Sequence, residues 1–228
     1  MNKKQKAIFI TVSIVYTISL VLFAISFSIN LPIYFRPFYY ALIKPLNIVN
    51  DLNKETGGSF TTKDVIEAYN EVLNYCCFFT KFGTGKLAWS QDGMNHFKDC
   101  RSLFLLDTIV MFVSGLLIGG THILKRKGLV IPYKHSHLIA GISAIALPLI
   151  IGMLASINFD KAFEIFHHIF FPGKDNWLFD QKTDQVILIM PMNFFMACAI
   201  FIGVALIGIS TYYIVRGVKV IKKSKSAE

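Results

Sequence analysis

Charged side chains and paired cysteines are both scarce in this chain of 228 residues. Only 16% of the residues are charged and 54% are hydrophobic, and the apolar residues come in long runs. The four cysteines include no Cys-x-x-Cys pair and no Cys/His spacing typical of structural zinc. The sequence also lacks His-Glu-x-x-His, the commonest zinc-hydrolase motif. No internal repeat stands out, which argues against a secondary transporter built from inverted repeats.

The long apolar runs predict four membrane-spanning helices. A spanning helix needs roughly 20 apolar residues, each rising 1.5 Å. Four segments meet that requirement: 7–29, 102–124, 137–157 and 185–215. The first is longer than a signal-peptide core, which favours a retained anchor, and the fourth is long enough to include an interfacial turn before Pro191. We predict a mainly α integral membrane protein with a single membrane domain, 1–228. Its outer loops, 30–101 and 158–184, would form a small extracellular subdomain.

Basic residues are concentrated beside the predicted spans. Twelve of the 23 lie at the N-terminus, between the second and third spans, or at the C-terminus. They are Lys3, Lys4, Lys6, Lys125, Arg126, Lys127, Lys134, Arg216, Lys219, Lys222, Lys223 and Lys225. The positive-inside rule makes that side cytoplasmic, so both termini are predicted inside and both long loops outside. Because the cations are divided among three membrane-flanking segments, the net charge of +9 is a topology signal and predicts no nucleic-acid partner.

The second outer loop is rich in both aromatic and titratable side chains. It contains Phe166, His167, His168, Phe170, Phe171, Asp175, Trp177, Phe179, Asp180 and Asp184. Rings with polar edges are typical of the headgroup level of a bilayer. Titratable groups at that depth can reach lipid ester bonds, so the loop predicts chemistry at a membrane surface. Adjacent histidines point about 100° apart on a helix, and we expect His167 and His168 to have different roles.

A further histidine precedes the second span. His96 and Asp99 are three residues apart, so on a helix they share a face, and the acid can orient the imidazole. Arg101 either faces an anion near the headgroups or serves as an interface anchor. If the second loop docks on the first, His96 and one of His167 and His168 will converge. A solvated loop histidine is the alternative interpretation of His96.

These segments together resemble a known family. The stretch 96–101 before a span, followed by FHHIFFPGKDNWLFD, Asp184 and PMNFF, is similar to the bacterial lipoprotein intramolecular transacylases. The resemblance covers nearly the whole chain. Three departures stand out. Asp92 is the nearest acid before the first histidine, Lys98-Asp99 stands where the family more often has Asp-Val, and Gln181 follows Asp180 where the family commonly has proline.

The resemblance implies acyl transfer within one lipoprotein molecule. The substrate would carry a diacylglyceryl thioether and a free α-amino group on its N-terminal cysteine. Its sn-2 acyl chain would move from glycerol to that amine and give the lyso form, with no cofactor needed. We expect a monomer in the bacterial cytoplasmic membrane, in contact with membrane lipid, with its active site on the extracellular face.

The same resemblance distributes roles among the candidate residues. His96 would be the general base, with Asp99 as its orienting partner. His167 or Arg101 would donate to the oxyanion, and an acyl-enzyme is not required. The predicted substrate-binding residues are Phe171, His168, Trp177 and Asp180. Asp180 has an alternative role with Asp184, as a cap at the N-terminus of the fourth span.

Two other functional classes stay open at this point. One is a metal-dependent membrane hydrolase that uses His96, His167, His168 and nearby carboxylates. Activity that survives a chelator would argue against it. The other is a non-enzymatic membrane scaffold, which an unchanged lipoprotein phenotype in a folded His96→Ala variant would favour. Asp107 lies inside the second span, where an acid is costly. It either tunes the site or makes a helix-packing hydrogen bond, and we favour the hydrogen bond.

Overall fold

The computed structural model describes residues 2–130 and 132–226, except the side chains of Leu147 and Leu154. Those residues form nine α-helices and no strand. The helices are α1 (Lys3–Tyr34), α2 (Pro37–Leu42), α3 (Ile48–Thr56), α4 (Thr62–Phe78), α5 (Gln91–Arg126), α6 (Ser136–Ile157), α7 (Phe159–Phe170), α8 (Val186–Ile189) and α9 (Met192–Lys225).

Four of these helices are long and apolar enough to cross a membrane, namely α1, α5, α6 and α9. The predicted mainly α architecture with four spanning helices is therefore confirmed. In the fourth predicted span, 185–215, α8 ends at Ile189 and α9 begins at Met192, so the helix is interrupted where the sequence allows an interfacial turn. Pro191 stands at the break. Proline has no N–H to donate and disfavours a helical conformation in the residue before it.

The chain divides into two compact units. Unit 1 comprises Met1–Asn30, Asp107–Met153 and Phe201–Glu228, and unit 2 comprises Leu31–Leu106 and Leu154–Ile200. Nearly all of the two predicted outer loops therefore belongs to unit 2. The buried core of unit 1 consists of Tyr16, Leu20, Ala24, Ala140, Ala144, Leu206 and Tyr213.

Small residues let the helices of unit 1 approach each other closely. A Cβ added at Gly217 of α9 would lie 2.6 Å from the backbone nitrogen of Leu138 in α6. A Cβ at Gly141 of α6 would lie 2.8 Å from the carbonyl oxygen of Ser210 in α9. Neither position has room for a side chain, and such packing is a main source of helix association in membranes.

Asp107 makes the helix-packing hydrogen bond that the sequence predicts. The Asn30 side-chain amide of α1 donates to Asp107 Oδ2 of α5 at 2.6 Å. Thr108 Oγ1 donates to Asn30 Oδ1 at 2.9 Å. The acid is thereby satisfied between two helices of unit 1.

Unit 2 is organised around α4. Thr61 and Asp64 form a capping box at its N-terminus. Tyr69, in the middle of α4, stacks on Tyr39 of α2 with ring centroids 3.7 Å apart. The Tyr39 hydroxyl donates to the carbonyl of Ile189 at 2.7 Å. These contacts join α2 and α8 to α4 and hold the end of the second loop in place.

Candidate active site

Two histidines from distant parts of the sequence meet in unit 2. His96 of α5 and His167 of α7 are each only 6% exposed. Their ring centroids are 5.8 Å apart and their planes differ by 31°. The predicted convergence of His96 with one of the two adjacent histidines is confirmed.

The geometry of α7 separates His167 from His168. Asn158 caps this helix by accepting a hydrogen bond from the Lys161 backbone N–H at 2.9 Å. From that start, His167 lies on the buried face and His168 on the exposed one. His168 Nε2 lies 3.7 Å from Glu164 Oε1, one helical turn earlier. The two neighbours therefore have different environments, as their positions on a helix predict.

Aromatic rings enclose the histidine pair. The centroid of the buried Phe171 ring is 4.8 Å from that of His96, and the Phe179 centroid is 5.4 Å from it. Trp177 stacks on His167 with a centroid separation of 4.6 Å. Burial lowers the pKa of His167, although a hydrogen bond to a backbone carbonyl partly opposes the shift. His167 is therefore neutral at pH 7.

Hydrogen bonds define which nitrogen of each ring is available. His167 Nδ1 lies 2.8 Å from the carbonyl oxygen of Phe163. Because a carbonyl can only accept, Nδ1 carries the hydrogen and Nε2 has the lone pair. His96 Nε2 lies 3.3 Å from Cys100 Sγ, four residues later on α5. His96 Nδ1 is buried and has no hydrogen-bond partner within the described part of the chain.

Asp99 does not make the direct contact with His96 that its spacing predicts. Its carboxylate accepts from Lys174 Nζ at 2.6 Å and from Asn176 Nδ2 at 3.2 Å, both in the second loop. Asn176 is also a neighbour of His96, and Asn176 Oδ1 is buried without a partner among the described atoms. Among the described contacts, Asp99 therefore holds Asn176, a neighbour of the imidazole, and makes no hydrogen bond to the imidazole itself. The reason is that Lys174, brought close by the fold, neutralises Asp99.

Arg101 points away from the histidine pair. Its guanidinium carbon lies 4.2 Å from the ring centroid of Phe79 and 4.9 Å from that of Tyr75. Arg101 lies five positions after His96, which places it about 140° further round α5. Its position supports the interpretation of an anchor held by aromatic rings and gives no support to a donor for the oxyanion.

The two acids at the end of the second loop do not cap the fourth span. Asp184 is buried and accepts hydrogen bonds from the backbone N–H and the hydroxyl of Ser90, at 2.8 and 2.9 Å. The Ser90 hydroxyl accepts in turn from Gly93 N–H and caps α5. Asp180 is exposed and accepts from the Lys182 backbone at 2.9 Å within a turn. Asp184 therefore holds the second loop against the start of α5.

Sequence reasoning missed the residues that support the pair, namely Cys100, Asn176, Lys174 and Ser90. Only Cys100 carried a usable signal, because a residue four positions after a helical histidine lies on the same face. Within the described ranges no group of three or more His, Cys, Asp or Glu side chains is arranged to hold a metal ion.

These features define a multi-pass membrane protein with a buried histidine pair enclosed by aromatic rings. The family described as lipoprotein intramolecular transacylase Lit matches residues 14–195, most of the chain. The chain therefore belongs to the Lit family of intramolecular transacylases.

Solved structures share this fold. The structure of the membrane integral lipoprotein intramolecular transacylase Lit from Bacillus cereus superposes with a TM-score of 0.85, at 24% identity, over 97% of this chain and 100% of that one. A variant of that protein with one histidine replaced by arginine gives a TM-score of 0.78 at 23% identity, over 98% and 96% of the two chains. An uncharacterized protein of Aquifex aeolicus (strain VF5) is 30% identical over 121 residues, which cover 53% of this chain and 52% of that protein. This alignment spans about half the length of that relative.

Proposed function

We propose that this protein transfers the sn-2 acyl chain of a diacylglyceryl lipoprotein to the α-amino group of the same molecule's N-terminal cysteine. The product is the lyso-form lipoprotein. The observation that carries the proposal is the buried pair of His96 and His167, 5.8 Å apart, in a chain of the Lit family. The reaction moves an acyl group and protons, and two adjacent imidazoles can move the protons.

The proton balance explains why two imidazoles are useful. An α-amino group has a pKa of roughly 7.7–8.0, so most of it is ammonium at neutral pH. The C–N bond forms, the ester C–O bond breaks, and the nitrogen changes from three attached hydrogens to one. One of the two released protons ends on the glycerol oxygen, and the other must leave the site. A separate acceptor for each proton allows both transfers.

His167 is suited to take the first proton. Its Nδ1–H donates to the Phe163 carbonyl, so the lone pair on Nε2 is available. Once protonated, Nε2–H becomes a donor that can stabilise the tetrahedral oxyanion, a contact worth roughly 2.7–4 kcal/mol in other enzymes. Repulsion between two charged rings 5.8 Å apart then keeps His96 neutral. Attack on the carbonyl makes the nitrogen much more acidic, so the neutral His96 can take the second proton from it and pass that proton at once to the glycerol oxygen.

A chain of second-loop contacts can hold His96 in the form that this role needs. Its Nε2 faces only the Cys100 thiol, a weak donor, so the lone pair stays usable. A small rotation would let His96 Nδ1–H donate to Asn176 Oδ1, which would fix the tautomer. Asp99 holds the amide group of Asn176, and Lys174 balances the charge of Asp99.

The substrate contacts follow from the exposure of each side chain. Phe171 and Trp177 touch the two imidazoles and offer apolar walls to the acyl chain. His168 and Asp180 are exposed and would meet the glycerol or peptide part of the substrate. Arg101, held over two rings, would anchor α5 at the headgroup level.

The charge distribution supports an orientation for the enzyme. Twelve basic residues flank the spans on one side, and the positive-inside rule assigns that side to the cytoplasm. Both termini would then be cytoplasmic, and the histidine pair would act at the extracellular face of the bacterial cytoplasmic membrane. We propose that the enzyme works there as a monomer in contact with membrane lipid.

Mass spectrometry of a lipoprotein's N-terminal peptide tests the proposal. A diacylated lipoprotein would be expressed with and without this protein in a bacterium that lacks the activity. The expected product has an unchanged mass, with one acyl chain moved to the cysteine nitrogen in the fragment spectrum. A mass lower by one acyl chain would mean hydrolysis, and chelator sensitivity would then point to the metal-dependent class. No change in mass or fragments would favour a scaffold.

A further inference from the structure

A lysine ammonium lies beside the histidine pair of unit 2. Lys174 Nζ donates to Asp99 Oδ1 at 2.6 Å, and the two side chains are 47% and 23% exposed. Asp99 follows His96 by three positions on α5, a spacing that puts the two Cβ atoms about 5–6 Å apart. A positively charged nitrogen therefore fits at Asp99, close to one of the two imidazoles and within reach of solvent.

A second acceptor lies next to Asp99. Asn176 Nδ2 donates to Asp99 Oδ2 at 3.2 Å, and this contact leaves Oδ1 to the ammonium. Asn176 Oδ1 is buried beside His96 and has no hydrogen-bond partner among the residues that the structure describes. An amide oxygen has two lone pairs, so it can accept from an ammonium as well as from His96. Asp99 and Asn176 thus offer two acceptors to a group that carries three donors.

The ammonium of Lys174 can leave Asp99 without disrupting its own turn. The Lys174 backbone N–H donates to the Phe171 carbonyl at 3.2 Å, and its carbonyl accepts from Trp177 Nε1 at 2.9 Å. These bonds do not involve the ammonium. An exposed ion pair also contributes little to stability, because water screens the charges and both side chains lose freedom. The contact between Lys174 and Asp99 is therefore exchangeable.

We propose that Asp99 binds the α-ammonium group of the lipoprotein's N-terminal cysteine, in exchange for the ammonium of Lys174. An α-amino group is mostly protonated at neutral pH, so it presents the same three donors as a lysine side chain. Bound there, the substrate nitrogen lies beside His96. This role, which rests on the proposed transacylation, makes Asp99 a specificity-determining residue, because a lipoprotein whose amine is already acylated lacks the cation.

Charge balance and the substrate's lipid chains favour the exchange. One cation replaces another, so the carboxylate of Asp99 is never left unpaired. The lipid chains keep the substrate ammonium at the membrane surface, which raises its concentration near the site. Lys174, already half-exposed, moves into water.

The binding of two unreactive lipopeptides to the full chain in detergent tests the proposal. Both carry ether-linked chains in place of the esters, so no acyl group can move and binding is measured apart from turnover. One has a free α-amino group, and the other is N-acetylated. Native mass spectrometry at about pH 6.5, where the free amine is protonated, gives the two dissociation constants. We expect the free amine to bind about 10- to 30-fold more tightly, the usual effect of a charge-assisted hydrogen bond.

Three variants locate the origin of that preference. Asp99→Asn should reduce the ratio of the two dissociation constants to below about 2. Asp92→Asn removes the same charge at an exposed position in the first turn of α5, and it should keep the wild-type ratio. Lys174→Met removes the competing ammonium, so it should tighten binding of the free amine by about 2- to 5-fold.

Each contrary result has a definite meaning. A preference that persists in Asp99→Asn would overturn the site, and an equal loss in Asp92→Asn would assign the preference to general surface charge. Weaker binding of the free amine in Lys174→Met would refute the exchange, and this test holds even if Asp99→Asn does not fold. An ester substrate that is not rearranged, with the preference intact, would refute the transacylation and not the ammonium site.

Discussion

The chain brings two pairs of histidines together, one in each unit, and their neighbours differ. In unit 2, His96 and His167 face each other inside a shell of aromatic rings. In unit 1, His122 and His137 both make edge contacts with the Tyr16 ring, in a cleft whose lining includes four cations. The residue types are alike, and the surroundings determine what each pair can do.

The difference lies in the state of the ring nitrogens. In unit 2 the pair is buried, and Asp99 holds Asn176, a neighbour of His96. The hydrogen bond of His167 uses Nδ1, which leaves the lone pair on Nε2 available. Such neutral rings can gain and lose protons. In unit 1 the Tyr16 hydroxyl already occupies His137 Nε2. That nitrogen is therefore not free to exchange a proton with a substrate.

Replacing one histidine of each pair is the strongest test of this contrast. We expect His96→Ala to reduce transacylation by about 10⁴-fold, because the proton shuttle is lost. His137→Ala should leave turnover within about 3-fold of wild type. Rates would be measured by fragment-resolved mass spectrometry, with thermal melting as the folding control. Comparable losses from the two substitutions would remove the functional distinction between the pairs.

The two adjacent histidines of α7, His167 and His168, provide a matched comparison. His167→Ala should lower the rate by about 10²–10³-fold, the usual effect of losing a donor to an oxyanion. His168→Ala should cost less than about 5-fold, because that ring is exposed and its contacts among the described residues are with Glu164 and Trp177. Both variants would be assayed in the same lipoprotein assay. Equal losses would show that exposure does not separate their roles.

Hydropathy and spacing predicted part of this arrangement. The four spanning helices follow from the lengths of the apolar runs, a property of neighbouring residues. The separation of His167 from His168 follows from the helical period. Both are local rules, and both succeeded because α5 and α7 are regular helices on which the rules apply. The break at Pro191 also follows from a local rule. The sequence allowed an interfacial turn before Pro191, but it did not give the length of that turn.

The supporting network required contacts that spacing cannot supply. Asp99 meets Lys174 and Asn176 across 75 and 77 residues. Asp184 meets Ser90 across 94 residues. A periodic pattern fixes only which face a side chain occupies, so Asp99 was paired with His96 on its own helix. The competing partner arrived from the second loop with the opposite charge.

Asn176 lies beside the pair in unit 2, whereas the described contacts of His122 and His137 in unit 1 include no side-chain amide. Asn176→Ala should slow transacylation about 10-fold, the effect of one hydrogen bond that positions a catalytic ring. Asp175→Ala, at the exposed neighbouring position, is the control and should stay within 2-fold. The ¹⁵N shifts of the His96 imidazole would report the tautomer. An unchanged tautomer in a slow variant would assign Asn176 to loop stability.

The pH profile of transacylation tests the protonation state of His167. Burial lowers the pKa of His167 below its ordinary value near 6.5. Because the neutral ring accepts the first proton, activity should be present above the lowered pKa and decline as the pH falls through it. Single-turnover rates at saturating substrate should change only a few-fold between pH 6.5 and 8, in wild type and in His137→Ala alike. A midpoint near 7.7–8.0 would mean that the amine loses its proton before binding.

The smallest effect is expected at Cys100, whose thiol lies beside His96 at 3.3 Å. A thiol next to an imidazole is also the arrangement of a covalent nucleophile, and that alternative predicts complete loss in Cys100→Ala. Direct attack by the amine predicts a loss of less than about 3-fold, because the thiol is only a weak hydrogen-bond partner. Hydroxylamine treatment during turnover separates the two mechanisms, since it releases acyl groups held as thioesters. If hydroxylamine releases the acyl chain and Cys100→Ala is inactive, the site in unit 2 is a cysteine–histidine nucleophile and not a histidine pair that shuttles protons.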